Sequence, residues 1–274
     1  MSVKRVLIFD SGVGGLSVYE EVIKLNPNIK CNYLFDNANF PYGELPRERL
    51  IKRLIQLLND FMQAHPADLI VIACNSASTI ALEQLRTYFT IPIVGVVPAI
   101  KPASLITTNN VIGLLATPAT VERAYTSTLI DKFAVGKTVL CIGSTQLVKL
   151  AEDKLTGKTL NQRDFKTILA PWLFENRDNC PDTLVLGCTH FPLLKDEITA
   201  CFTRPIHLVD SGEAIAFRVK QLLLNNLNEG VSISTDKQIN QAFYTQAFIS
   251  KAHCSALGEC FSDYGFQNLS LCAL

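Results

Sequence analysis

No apolar run in this chain approaches the roughly 20 residues that a helix needs to cross a bilayer. No block of like charge appears, and Lys+Arg and Asp+Glu, at 25 each, cancel to a formal net charge of zero. A basic excess is the usual footprint of a partner that is nucleic acid or an anionic membrane surface, so neither is expected. The nine cysteines include no CxxC pair and no repeating framework, and the number is odd. Disulfides and structural zinc are therefore not expected, and no metal is assigned. The stretch Met1–Ser11 is too short, and meets Asp10 too soon, to act as a signal peptide. These absences together point to a cytoplasmic protein.

Hydrophobic residues make up 48% of the chain and charged residues 18%, enough to build a sizeable core. Short β-branched runs alternate with amphipathic stretches of helical length. Strands are expected at Val6–Phe9, Cys31–Phe35, Leu69–Ala73, Ile93–Val97, Val111–Ala116, Val139–Ile142 and Thr183–Leu186. Helices are expected at Leu16–Leu25, Pro46–His65, Ser76–Tyr88 and Val121–Phe133. In the first helix Leu16, Tyr19, Val22 and Ile23 share one face. Such alternation implies an α/β fold with parallel sheets covered by helices, in which ligands sit beyond the carboxyl ends of the strands.

Two segments resemble variations on one unit. Val6–Asp10 is followed by Ser11-Gly12-Val13-Gly14-Gly15 and a helix, while Val111–Ala116 is followed by Thr117-Pro118-Ala119-Thr120 and a helix. Each is followed later by a strand ending in a cysteine, Cys74 in one case and Cys188 in the other. The expected architecture is therefore two pseudo-symmetric parallel-sheet α/β domains with the active site in the cleft between them. Residues 1–98 plus 209–274 would form the first, carrying Asp10 and Cys74. Residues 99–208 would form the second, carrying Cys188 and His190. Pro98–Pro102 and Pro205–Ser211 are the expected crossings, and 225–238 is a polar surface loop.

The strand-end residues carry the chemistry. Cys74 precedes an expected helix, whose N-terminus favours thiolate over thiol. Asn75 and Ser76 can cap that helix or bind a ligand carboxylate at the same amides. An isolated Cys-Asn-Ser is as readily a buried cysteine beside an ordinary cap. Cys188 repeats the arrangement, with Gly187 permitting close backbone approach and Thr189 supplying a hydroxyl. His190 lies two residues on, but no second His or Cys pair has metal-ligand spacing. Asp10 can hold an ammonium group, orient a proton-transfer residue, or cap a helix with Ser11. Gly12, Gly14 and Gly15 match neither a Walker A nor a GxGxxG pattern. Asp210-Ser211-Gly212-Glu213 reads as a helix start with an acidic first turn. Cys31, Cys141, Cys180, Cys201, Cys254, Cys260 and Cys272 read as packing or incidental thiols, Trp172 as a packing residue, and His65, His207 and His253 as structural or surface residues.

Taken together, Phe9–Ser17, Phe40–Gly43, Ile72–Ser78, Leu147–Glu152 and Leu186–Pro192 resemble the glutamate racemase family, within the aspartate/glutamate racemase superfamily. The similarity runs in order from residue 6 to about 217 and is weak over 225–274. It implies that Cys74 handles the α-proton of D-glutamate and Cys188 that of L-glutamate, with Asp10 assisting Cys74 and His190 assisting Cys188. Glu152 and Asp36 become secondary candidates for tuning those groups. Asp10, Ser11, Tyr42, Gly43, Asn75, Ser76, Thr117, Thr120, Thr189 and His190 would line the glutamate site. It also implies D-glutamate supply for peptidoglycan and a homodimer as the common assembly. This chain has Ser76 where the family usually has threonine, which keeps the hydroxyl and loses a methyl. Its acidic segment at Glu152 is offset from the usual run.

The chemistry agrees with that implication. Inverting a stereocentre requires proton removal on one face and delivery on the other, and two opposed groups do this more simply than one that moves. Thiols suit the task because both protonation states are reachable near neutral pH. Pyridoxal phosphate would be the alternative electron sink, but Lys4, Lys101 and Lys149 sit in no diagnostic setting, so no cofactor is expected. Other readings remain open at this stage: a cysteine hydrolase using Cys188 and His190, a binding protein for an acidic amino acid, and a racemase of aspartate or a hydantoin.

Overall fold

A computed structural model describes residues 3–173, 180–225, 239–246 and 251–272. The elements are β1 (Arg5–Asp10), α1 (Leu16–Leu25), β2 (Lys30–Phe35), α2 (Arg47–Ala64), β3 (Leu69–Ile72), α3 (Asn75–Tyr88), β4 (Ile93–Gly95), α4 (Ile100–Ile106), β5 (Val111–Ala116), α5 (Pro118–Val121), α6 (Ala124–Phe133), β6 (Thr138–Gly143), α7 (Thr145–Leu155), α8 (Gln162–Leu173), β7 (Thr183–Leu186), α9 (Lys195–Thr199), β8 (His207–Val209), α10 (Gly212–Asn225), β9 (Asn240–Tyr244), α11 (Lys251–Asp263) and β10 (Phe266–Leu271). The chain divides into two compact units, Met1–Val96 with Gly212–Leu274, and Val97–Ser211.

The first unit holds a six-stranded sheet in the order β10-β9-β2-β1-β3-β4. The second holds a four-stranded sheet in the order β6-β5-β7-β8. Every strand pairing is parallel. The central order β2-β1-β3-β4 recurs as β6-β5-β7-β8, so the strand ending at Asp10 corresponds to β5 and the strand before Cys74 to β7. The half-to-half similarity of the sequence thus has a topological counterpart. Central strands β1, β3, β5 and β7 are almost wholly buried, as continuous apolar runs in a sheet covered on both faces should be. Edge strand β6 is instead exposed or partly exposed along its whole length.

Helices pack by the expected stripes. In α2, Leu50, Leu54, Leu57, Leu58 and Phe61 are buried, the spacing of one helical face. They join Leu7, Phe9, Ile70, Ile72 and residues of α3 in one core. A Cβ on Gly95, the last residue of β4, would meet the Leu82 side chain of α3 at 2.6 Å, so glycine lets the strand lie against that helix. β4 ends there, two residues short of the expected Val97. Trp172 is buried in the second unit, where its ring borders Gly113.

Two expectations need correction. The single helix expected over Val121–Phe133 is two, α5 and α6, with Arg123 extended between them. Pro118 starts α5 in the first turn, where a missing amide costs nothing. The Thr126 hydroxyl then donates to the Thr120 carbonyl at 2.6 Å, which fixes the break. In addition, β9, α11 and β10 extend the first sheet, where the sequence offered no element. Of the polar loop expected over 225–238, Asn225 ends α10 and the rest lies outside the described residues.

One carboxylate ties the second unit together. Asp182, just before β7, accepts hydrogen bonds from the Thr107 hydroxyl at 2.7 Å, the Thr108 amide at 2.8 Å and hydroxyl at 2.7 Å, and the Asn109 amide at 2.9 Å. It therefore holds the loop entering β5 against the start of β7. Burial pushes this carboxyl up, but the Thr107 and Thr108 hydroxyls and the two amides outweigh it and hold it well below the ordinary aspartate range. A depressed carboxyl contributes stability that is present above the unfolded value, near 3.9, and lost as pH falls through the folded one. Asp182→Ala should cost about 1.5–3 kcal/mol at pH 7 in chemical denaturation. The gap between variant and wild type should narrow as pH is lowered below about 4.

Candidate functional site

In the first unit the site groups collect at the carboxyl ends of β1, β2 and β3. Asp10 ends β1 and is fully buried. Its Oδ1 accepts from the Ser11 amide at 2.6 Å and faces the Ser11 hydroxyl at 3.4 Å. That hydroxyl lies 3.7 Å from Cys74 Sγ. Asp10 thus reaches the thiol through Ser11. The turn that follows has no room for side chains at its last position: a Cβ on Gly15 would lie 2.7 Å from the Tyr33 hydroxyl and 3.0 Å from Asp10. The Tyr33 hydroxyl donates to the Gly12 carbonyl at 2.9 Å, holding the turn closed over the sheet.

Cys74 is itself the N-cap of α3, and its Sγ accepts from the Ala77 amide at 3.5 Å. The capping place considered for Asn75 and Ser76 belongs to the sulfur. Asn75 and Ser76 are the first two residues of the helix and are buried. Asn75 Oδ1 is buried with no hydrogen-bond partner among the described residues, so it offers an acceptor at this helix start.

Asp36 follows β2 and is fully buried. Its amide donates to the Asp10 carbonyl at 3.1 Å. Its carboxylate takes both arms of Arg53 at 2.9 Å, the Tyr42 hydroxyl at 2.7 Å, the Asn39 amide nitrogen at 3.1 Å and the Thr245 hydroxyl at 2.6 Å. Burial pushes the carboxyl up, yet the Arg53, Thr245 and Tyr42 hydrogen bonds hold it below its ordinary value. Burial, then the Asp36 charge, pushes the Tyr42 phenol well up, so it stays neutral and donates; Cys74 also adds to that rise. Tyr42 and Cys74 belong to one core cluster. Tyr42 and Gly43 sit in a 3-10 turn that begins after Pro41. Sequence reasoning missed Arg53 and Thr245, which lie 17 and 209 residues from Asp36.

In the second unit Gly187, Cys188, Thr189 and His190 follow β7. A Cβ on Gly187 would crowd Leu114 at 3.0 Å and Ala116 at 3.2 Å, so glycine lets the turn lie against β5. The helix start expected directly after Cys188 is absent. A tight turn, closed by the Phe191 amide on the Cys188 carbonyl, leads to a 3-10 segment at Phe191–Leu194, and α9 begins only at Lys195. Pro192 lies in the first turn of that segment, and His190 is its N-cap. Cys188 instead faces an imidazole: His190 Nδ1 lies 3.8 Å from its Sγ, and His190 Nε2 lies 2.8 Å from Glu152 Oε1 of α7. Burial disfavours a charged His190, but its contacts to Cys188 and Glu152 win and raise it well above an ordinary histidine. An imidazolium donates from both nitrogens, to the sulfur and to the carboxylate. The Thr117 and Thr120 hydroxyls lie 3.0 Å apart at the end of β5, and Thr189 is buried beside Cys188 in sequence.

Both thiols are slightly exposed, Cys74 at 5% and Cys188 at 7%, whereas Cys31 is sealed. Burial pushes the Cys31 thiol far up and also raises Cys201, which suits packing thiols; Cys141 is exposed on edge strand β6 and is an incidental thiol rather than a packing one. Among the described residues, no group of three or more His, Cys, Asp or Glu is placed to hold a metal, and no helix is long and apolar enough to cross a membrane.

Comparison with known proteins places these features in a family. The pattern of the Asp/Glu/Hydantoin racemase family matches residues 15–218. A glutamate racemase of Pectobacterium carotovorum is 48% identical over 264 residues, covering 96% of this chain and 90% of its own. A glutamate racemase of Vibrio campbellii is 49% identical over 266 residues, covering 97% and 95%. Among solved structures, Escherichia coli glutamate racemase in complex with L-glutamate and the activator UDP-MurNAc-ala is 43% identical, with a TM-score of 0.90 and 99% of each chain covered. Glutamate racemase from Aquifex pyrophilus is 28% identical, with a TM-score of 0.72 and 97% and 98% covered. With the match spanning both sheets and both cysteine turns, the chain belongs to the Asp/Glu/Hydantoin racemase family.

Proposed function

We propose that this protein interconverts L-glutamate and D-glutamate by two-base proton transfer, with Cys74 and Cys188 as the two bases. The observation that carries this reading is that corresponding strands of the two sheets, β3 and β7, each lead into a slightly exposed thiol with a carboxylate relay behind it, fully buried at Asp10 and partly buried at Glu152. The relay is Asp10 through Ser11 in one unit and Glu152 through His190 in the other. A hydrolase built on Cys188 and His190 leaves Cys74 and its relay unused. The curated relatives named glutamate racemase, and the L-glutamate held by the E. coli protein, favour glutamate over aspartate or a hydantoin.

In the L-to-D direction, Cys188 thiolate takes the α-proton, and Cys74 thiol delivers a proton to the other face of the carbanion. In the reverse direction the two exchange roles. His190, held charged, stabilises the Cys188 thiolate, and Glu152 holds the imidazole in place. The amides at the start of α3 stabilise the Cys74 thiolate. Asp10, Ser11, Tyr42, Gly43, Asn75, Ser76, Thr117, Thr120, Thr189 and His190 bind and orient glutamate. Fixed donors to the substrate carboxylate stabilise the charge that develops as the α-proton leaves. We assign the reaction to the cytoplasm and its D-glutamate to peptidoglycan synthesis.

In deuterium oxide, L-glutamate should yield D-glutamate carrying deuterium at the α-carbon from the first turnover, read by NMR. Inversion with the α-hydrogen retained would exclude two bases, and no exchange at all would exclude racemisation. Glu152→Gln should lower kcat/KM about 10²-fold or more. Because the two enantiomers are equal in free energy, that loss must be the same in both directions. Without the carboxylate, His190 gives up its proton at lower pH, so the alkaline limb of the pH–rate profile should move down in pH. An unmoved limb with full activity would remove Glu152 from the relay.

A further inference from the structure

Strand β9 lies outside the residues matched by the family pattern, which ends at 218. It nevertheless reaches the Asp36 cluster. β9 pairs with β2 in parallel register, Tyr244 opposite Phe35, so that Thr245 emerges beside Asp36. The Thr245 hydroxyl donates to Asp36 Oδ1 at 2.6 Å and faces the Ala38 amide at 3.4 Å. Asn37 locks onto the same two residues: its Oδ1 accepts from the Thr245 and Gln246 amides at 3.0 and 3.1 Å, and its side-chain nitrogen donates to the Gln246 carbonyl. Through Asp36 this clamp is one bond from the Tyr42 hydroxyl and, through the Asp36 amide, one bond from the end of β1 at Asp10.

The arrangement divides the work on one carboxylate. Arg53 supplies charge to both oxygens. Thr245 supplies a donor from the first residue past β9, where the pairing of Tyr244 with Phe35 and the Asn37 bonds to the Thr245 and Gln246 amides fix its position. Among the described residues, Oδ1 receives Arg53 and Thr245, whereas Oδ2 receives Arg53, Tyr42 and Asn39. Removing the Thr245 hydroxyl leaves Oδ1 with a single donor and frees the carboxylate to rotate. Rotation shifts the acceptor that fixes Tyr42. A buried carboxylate short of a donor also draws in water, which loosens the turn around it.

We propose that β9 braces the Tyr42–Gly43 turn through Asp36, with Thr245 as the positioning residue. The brace rests on the reading of Tyr42 and Gly43 as part of the glutamate site. Thr245 touches no substrate; it sets where Tyr42 and Gly43 stand when substrate arrives. Its loss should therefore weaken binding more than it slows proton transfer.

The test compares Thr245→Val, which keeps the shape and loses the hydroxyl, with Thr245→Ser, which keeps the hydroxyl. For Thr245→Val, KM for both glutamate enantiomers should rise about 5- to 10-fold while kcat changes about 2-fold or less. Thr245→Ser should restore KM to near the wild-type value. Hydrogen–deuterium exchange of the peptide covering residues 36–45, read by mass spectrometry, should quicken in Thr245→Val and not in Thr245→Ser. An unchanged KM in Thr245→Val would overturn the brace, as would equal impairment of the two variants. If the wild-type protein failed to racemise glutamate, the functional reading would fall. Exchange at 36–45 would still decide the brace, and identical exchange in Thr245→Val and wild type would overturn it.

Discussion

A parallel sheet buried on both faces leaves only its strand ends for chemistry, and that constraint organises this protein. In each unit the central strands are continuous apolar runs, so no polar group can act from within them. Reactive side chains must stand at the last strand residue or within the first two past the carboxyl ends, where the backbone turns away. Asp10, Asp36 and Cys74 stand there in one sheet, and Thr117 and Cys188 in the other. The shared order β2-β1-β3-β4 and β6-β5-β7-β8 puts each thiol after the corresponding strand.

The two thiols are supported differently. Cys74 uses the peptide backbone: it caps α3 and takes an amide hydrogen bond. Cys188 has only a 3-10 segment and a five-residue helix beyond it. An imidazolium takes over there, itself held by a partly buried carboxylate. A helix terminus offers a partial charge of about half a unit, whereas an imidazolium offers a full one at a hydrogen-bonded distance. Both devices would serve the one need that the proposed reaction imposes: a thiol that changes protonation state during each turnover.

Much of this was legible in the sequence because the signals are local. The boundaries of α1 and β5 follow directly from apolar periodicity and from a buried run of six residues. Cys74 and Cys188 were visible because each follows such a run. What escaped depends on long-range pairing. β10 has one buried residue among six and so carries little apolar signature. Arg53 and Thr245 reach Asp36 only when the chain is folded. Glu152 became a candidate through resemblance alone, since nothing in a 38-residue separation points to His190. The helix expected after Cys188 failed because the Cys188–His190 turn and Pro192 favour a 3-10 segment over an immediate α-helix.

The central claim is that each thiol owns one enantiomer. Cys74→Ser and Cys188→Ser, incubated separately with pure L- and pure D-glutamate in deuterium oxide, test it most directly, with polarimetry following inversion and NMR following α-exchange. Both variants should lose inversion in both directions. Residual α-exchange, where present, should be confined to L-glutamate in Cys74→Ser and to D-glutamate in Cys188→Ser. Near-normal inversion by either variant, or exchange of both enantiomers by a single-thiol variant, would contradict the two-base account.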